Sequence, residues 1–262
     1  TSFIYKYSAY STDKTGEAIP CSVLEHTPGE YKILSYHRPR IIPSEPTLPP
    51  PTTLEEAKSR LDPLDQWAVE TFSCKDNGAS LAQLMKDGKL IAVSDGSNGD
   101  KISTSSSKLT SRSKKDEPTT VPWKSTNTVP GEPEEEDSYR GELGGVMADI
   151  VAASMICQVH KVTEGSMEIG LDGEAAMKAV FADTDPKVDA PCFDILIDIR
   201  RKIKALPIKV TGRHIEGHQD KHKAWCQLDR WAKINIEMDS SAKALLRKRI
   251  KQGFTSSPQP FA

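Results

Sequence analysis

Lys89-Leu-Ile-Ala-Val-Ser-Asp-Gly-Ser97 is the most informative segment of this chain. Leu90 to Val93 form an uninterrupted apolar run, the pattern of a short strand covered on both faces, and the run delivers one carboxylate, Asp95, at its end. A carboxylate beside a buried strand must be hydrated at an edge, paired or bound to a metal, because desolvating it alone is too costly. Taken alone, Asp95-Gly96 reads more readily as a strand-ending turn than as chemistry. The other acids of the chain change that balance.

On the N-terminal side, residues 53–87 carry helical periodicity through Leu54, Ala57 and Leu61, then Leu64, Trp67 and Ala68, then Leu81, Leu84 and Met85. Thr53 with Glu56 has the spacing of a capping box. Residues 1–52 mix short apolar pieces with a proline cluster from Pro43 to Pro51, which reads as a connector. The chain begins at Thr1 rather than Met, which suggests a fragment of a longer protein.

On the C-terminal side the composition changes sharply. Residues 103–115 hold Ser, Thr, Lys and Arg with Leu109 as the sole apolar side chain, and residues 132–137 are nearly all acidic. Such segments offer little buried area against the entropy of ordering, so residues 98–137 are expected to be a low-complexity, disordered insertion. Ser138 then reads as the N-cap of a helix with Leu143, Val146, Met147, Ile150, Val151, Ser154 and Cys157 on a wide apolar stripe. Glu142 lies near its start, at the stripe's edge, and Gly144-Gly145 allow close approach to another backbone. Met167-Glu-Ile-Gly-Leu-Asp172 alternates as a strand and ends in a second Asp-Gly, followed by a short helix through Val180. A helix from Cys192 to Leu206 carries Arg200, Arg201, Lys202 and Lys204, a set that suits a solvated helix C-terminus better than a nucleic-acid contact. A strand over 208–215, a loop to about Cys226 and a final helix over 228–251 complete the domain, and residues 253–262 form a tail.

Composition narrows the function classes. The chain has 262 residues, 37% of them hydrophobic. Counting its 16 glycines as well, it stays under the roughly 45–50% of ordinary globular domains counted that way. The formal net charge of −2 gives no global pull toward nucleic acid. Five scattered cysteines without a CxxC pair argue against a disulfide framework and for an intracellular, reducing setting. No apolar run approaches the ~18 residues of a membrane span.

Two patterns compete near the C-terminus. His214, His218, His222 and Cys226 recur every fourth residue, a spacing that zinc sites use on a continuous helix, but here a strand and a loop interrupt it. The alternative takes Asp239, which lies one turn beyond Asn235 on the last helix. Asp95 on a first strand, Glu142 in a first helix, Asp172 ending a later strand and Asp239 in a final helix are the acids that a two-metal phosphodiester hydrolase needs.

With these residues together, the sequence resembles the type 1 ribonuclease H-like domains attached to retroelement reverse transcriptases. The resemblance is carried by Ser94-Asp-Gly-Ser97, Ser138-Tyr-Arg-Gly-Glu142-Leu, Leu171-Asp-Gly173, Val210-Thr-Gly-Arg-His-Ile-Glu-Gly-His218-Gln-Asp and Asn235-Ile-Glu-Met-Asp239-Ser-Ser-Ala-Lys. It covers residues 90–246 and implies an α/β fold, a mixed sheet flanked by helices. It also implies Asp95, Glu142, Asp172 and Asp239 as ligands of Mg2+, for which Mn2+ can substitute, and His218 in proton transfer or product departure. The implied substrate is an RNA/DNA hybrid held through phosphates and 2′-hydroxyls, and the implied neighbour is an upstream reverse transcriptase. One departure stands out: the family has two antiparallel strands between the first strand and the first helix, where this chain has its Ser/Lys-rich stretch. Either weak strands near Lys101-Ile-Ser-Thr and Thr119-Thr-Val-Pro-Trp123 take their place, or the sheet is truncated. The rival to an enzyme is therefore a decayed copy that keeps the acids without the sheet. A DDE-type integrase shares the fold but lacks a helical Glu after the first Asp.

Overall fold

The structure, a computed structural model, describes residues 8–12, 18–27, 30–36, 49–134, 136–187 and 189–255. Contacts divide the chain into two units, residues 1–49 and 50–262. The first contains an antiparallel three-stranded sheet of β1 (Ser8–Thr12), β2 (Ala18–Thr27) and β3 (Glu30–Tyr36), in the order β1-β2-β3. The part of the proline cluster from Pro43 to Leu48 lies outside the described residues, as does the tail beyond Thr255.

The second unit is an open six-stranded sheet with helices on both faces. Its strands are β4 (Phe72–Ser73), β5 (Leu90–Gly99), β6 (Ile102–Ser111), β7 (Trp123–Val129), β8 (Ser166–Leu171) and β9 (Lys209–His214), in the order β4-β7-β6-β5-β8-β9. β4, β7, β6 and β5 pair antiparallel, while β5, β8 and β9 run parallel. This is the mixed α/β architecture that the ribonuclease H resemblance implies. The helices are α1 (Leu54–Ser59), α2 (Ala79–Lys86), α3 (Ser138–His160), α4 (Glu174–Val180), α5 (Phe193–Ala205) and α6 (Arg230–Lys251).

Two expectations are corrected here. The described residues of 98–137 are not a disordered insertion: they contain β6 and β7, so strands near Lys101-Ile-Ser-Thr and Trp123, one of the two alternatives left by the sequence, are present and the sheet is not truncated. Ser94 pairs with Ser107 and Leu109 with Trp123 across the three central strands. The Ser-rich strand is ordered because it lies between helices on both sides. Thr104 Oγ1 donates to the Ala242 carbonyl at 2.9 Å and Ser106 Oγ to that of Met238 at 2.7 Å, both on α6, while Ser107 Oγ donates to Asp149 on α3. A serine side chain is small enough to let a helix close on the strand, and its hydroxyl finds a partner there. The second correction concerns caps. Asp137, not Ser138, caps α3, its carboxylate accepting from Arg140 N at 2.7 Å, and Asp229 caps α6 in the same way at 2.8 Å. Thr53 caps α1 as expected, Oγ1 accepting from Glu56 N at 3.1 Å.

The core lies in two layers. Leu90, Ala92, Leu109, Trp123, Ile169 and Leu171 pack with the α3 side, and Ile91 and Val93 turn the other way to meet Ile215, Trp231, Ile234 and Met238. Alternation along β5 thus serves both faces. α3 is, by length and composition, apolar enough to cross a membrane, although the sequence showed no uninterrupted apolar run of that length. It is the central helix of this core, fully buried along most of its length.

Candidate active site

β5 carries Asp95 on the same face as Ile91 and Val93, toward α6, where Asp239 lies. The strand continues into Gly96, whose absent side chain is a structural requirement. A Cβ there would collide with the backbone of Gly141 and Glu142, so β5 and the first turns of α3 meet backbone to backbone. A second such approach follows one turn later, where a Cβ on Gly145 would stand 2.7 Å from Ser94 Cβ. This contact brings Glu142 beside the end of β8, an interior strand of the sheet.

Asp172 immediately follows β8 and is the hub of the site. Asn235 of α6 donates from Nδ2 to Asp172 Oδ2 at 3.2 Å, and His214 Nε2 donates to the Asp172 carbonyl at 3.1 Å. The Glu142 carboxylate lies over Gly173, where any Cβ would collide with it. Gly217 closes the other side: a Cβ there would come within 2.8 Å of Asp172 Oδ2. Both Asp-Gly pairs therefore have a packing reason, and Asp95-Gly96 is not the strand-ending turn its sequence suggested: both residues lie inside β5 and pair with β6.

The electrostatics follow from this crowding. Burial first, and then the fields of Asp172, Asp239 and Glu142, push the Asp95 carboxyl up to about 8. Glu142 is raised to about 7 by burial, then by Asp172 and Asp137. Asp239 has a counter-charge one turn away, Lys243 Nζ, at 2.7 and 2.8 Å from its two oxygens. All four predicted acids are thus brought into one electrostatic neighbourhood. Among the described residues no three His, Cys, Asp or Glu side chains are already arranged around one metal position.

His218 is exposed, adopts a left-handed backbone (φ 53°) and precedes a 3-10 turn at Gln219–Lys221. Its neighbour Gly217 abuts Asp172, which places the loop beside the acids. The other members of the four-residue series scatter: His214 is on β9, His222 follows the first 3-10 turn and Cys226 is inside a second at Trp225–Gln227. The basic cluster on α5 is largely committed internally. Arg200 is buried and donates to the carbonyls of Ala182 and Thr184, Lys202 pairs with Asp65 at 2.8 Å, and Lys204 reaches Asp185 at 3.4 Å.

The sequence marked Asn235 only as the residue one turn before Asp239, without giving it a partner, and did not single out Asp149. Asp149 sits in the middle of α3, fully buried, and accepts from Ser107 Oγ. Ser94 Oγ and Asp149 Oδ2 have no hydrogen-bond partner among the described residues. Burial pushes the Asp149 carboxyl up to about 7 against the lowering effect of the Ser107 hydrogen bond. An acid inside an otherwise apolar helix face was the available signal.

Asp95 inside β5, Asp172 just after β8, and Glu142 and Asp239 on the two helices that flank these strands thus share one site. No protein-family model and no curated protein matches the chain. Among solved structures it is similar to the N-terminal RNase H domain of a Mycobacterium tuberculosis protein, determined as a fusion with maltose-binding protein. That likeness has 12% identity and a TM-score of 0.35 and covers 60% of this chain and 98% of the other. A similarity of that size adds nothing to the argument from strand order and acids.

Proposed function

We propose that this protein hydrolyses the RNA strand of RNA/DNA hybrids with the aid of Mg2+, or of Mn2+ in its place. The observation that carries this reading is the gathering of Glu142, Asp172 and Asp239 around Asp95, whose carboxyl is pushed up to about 8 by burial first and then by those acidic neighbours. Carboxylates gathered in a partly buried site raise one another's affinity for positive charge, and Lys243 pairs with Asp239 alone among them. The donor set fits Mg2+: hard oxygen ligands suit it, and it ordinarily keeps waters and uses one or two carboxylates with substrate phosphates rather than a closed protein cage. A bound divalent ion would supply charge stabilisation and an activated water.

The chain's own groups divide the remaining work. Asn235 and the His214 contact hold Asp172 in one orientation, and Lys243 keeps Asp239 extended along α6 until a cation competes for it. His218, on the exposed loop beside Asp172, is placed to exchange a proton with water or a departing strand. Origin in a retroelement and attachment to an upstream reverse transcriptase are part of this proposal. So is binding of the hybrid through phosphates and 2′-hydroxyls. The rival reading of a decayed copy supposed a missing pair of strands; β6 and β7 remove that premise.

Incubation with end-labelled hybrid, single-stranded RNA, duplex RNA and duplex DNA tests the reading. Cleavage restricted to the hybrid's RNA strand, dependent on Mg2+ and stopped by EDTA, is expected. Equal cleavage of all four, or none at stoichiometric protein, would remove it.

A further inference from the structure

The chain has four tryptophans, and three of them are buried: Trp67, Trp123 and Trp231. Trp225 is 59% exposed, the largest exposure among the large hydrophobic side chains of the described residues. It begins a short 3-10 turn at the end of the loop that follows β9. Lys233 of α6 places its ammonium 5.6 Å from the centroid of the indole. Lys221, His222 and Lys223 precede it on exposed backbone, with Lys223 Nζ 3.3 Å from Glu216 Oε2. The same loop begins at Gly217, against Asp172. One end of the loop therefore touches the acids, and the other presents an aromatic plane among cations.

An exposed indole flanked by lysines is the combination that holds unpaired nucleotides, since every base has a π-face and every linkage an anion. Arg230, which opens α6 near this loop, lies about nine residues before Asp239, or roughly 14 Å along the helix axis. Lys233, whose ammonium faces the indole, lies six residues before Asp239, roughly 9 Å along the same axis, so the indole is offset from the acids toward the start of α6 and suits strand beyond the scissile linkage. We propose that Trp225, with Lys221, Lys223 and Lys233, forms a stacking platform for a single-stranded extension of the nucleic acid engaged at the acids. This builds on the hybrid reading only for the origin of the strand; binding of a single strand is independent of cleavage.

The test measures binding in EDTA, so that no strand is cut. Trp225 dominates the solvent-exposed part of the tryptophan emission, and a twelve-nucleotide single strand is expected to quench it, with the quenching lost in Trp225→Ala. A hybrid with a single-stranded extension should bind wild type about 5- to 100-fold more tightly than a blunt hybrid, and in Trp225→Ala that ratio should fall to about one. Extensions at both ends and of both polarities are compared, and Trp225→Phe should retain most of the advantage. Thermal melting of each variant confirms folding. Equal quenching by polyglutamate would overturn the proposal in favour of a site for acidic chains, and an extension ratio unchanged in Trp225→Ala would overturn it outright. Quenching by single strands from a protein that cleaves no hybrid would leave the platform standing while the nuclease reading fell.

Discussion

Asn235 donates from Nδ2 to Asp172 Oδ2 across 3.2 Å, joining the final helix to the residue that ends β8. Asn235 is 3% exposed and its Oδ1 has no partner among the described residues, so the amide is held in place for this one contact. A hydrogen bond to a charged group contributes about 1.5–3 kcal/mol. Asn235→Ala should therefore lower hybrid cleavage about tenfold or more and raise the Mg2+ concentration needed for half-maximal rate. Asn235→Asp, which adds a fifth acid, should be worse than Ala. Titration of rate against Mg2+ checks both, and a variant with an unchanged Mg2+ requirement would dissociate Asn235 from the site.

Asp172→Asn keeps volume and removes charge. Cleavage should be abolished, while the melting temperature in EDTA should rise, because Asp95 and Glu142 both lose a repelling neighbour. Scanning calorimetry in EDTA and a hybrid cleavage assay together read the two effects, and retained turnover would exclude Asp172 from the chemistry.

Asp149 predicts a pH dependence unrelated to catalysis. Its folded-state value of about 7 stands above the ordinary carboxyl range near 4, so the folded protein holds a proton that the unfolded chain has released. Its contribution to stability is therefore greatest below pH 4 and declines as pH rises through 7. Asp149→Asn should flatten that decline and raise the melting temperature at pH 8.5, by about 2–4 °C for each kcal/mol relieved. Melting curves from pH 5 to 8.5 would show it, and parallel curves for the two proteins would refute the buried proton.

His218→Ala should reduce turnover about 10²- to 10⁴-fold, leave hybrid affinity and the Mg2+ requirement near wild type, and flatten the pH–rate profile around neutrality. The complete loss expected of Asp172→Asn, or no change at all, would each contradict a proton-transfer role.

Gly96→Ala tests the contact that sets the site's geometry. The atoms a methyl group would strike are the backbone of Gly141 and Glu142, which cannot rotate aside. Overpacking of this kind costs about 1–3 kcal/mol or more, so the variant should melt several degrees lower and cleave poorly. Wild-type melting and activity would show that the strand and helix can separate without cost.

Much of the fold was legible in the chain because its signals are local. The apolar run Leu90–Val93, the alternation over β8 and the stripe of α3 each declare their element from nearby residues, and Asp95, Asp172 and Glu142 follow or flank them. β6 was not legible. Ile102–Ser111 reads as a polar tract, and its burial comes from two helices distant in sequence, α3 and α6, which close on it from opposite faces and accept its hydroxyl hydrogen bonds. Hydropathy reports what a side chain prefers in water, not which partners the fold will bring to it. The same limit applies to the site: Asp95, Glu142, Asp172 and Asp239 could be named from sequence, but that Asn235 orients Asp172, that Lys243 pairs with Asp239 and that Gly96 sits against the backbone of Gly141 are distances between separated elements. Those distances exist only once the sheet has assembled and fixed the two helices on either side of it.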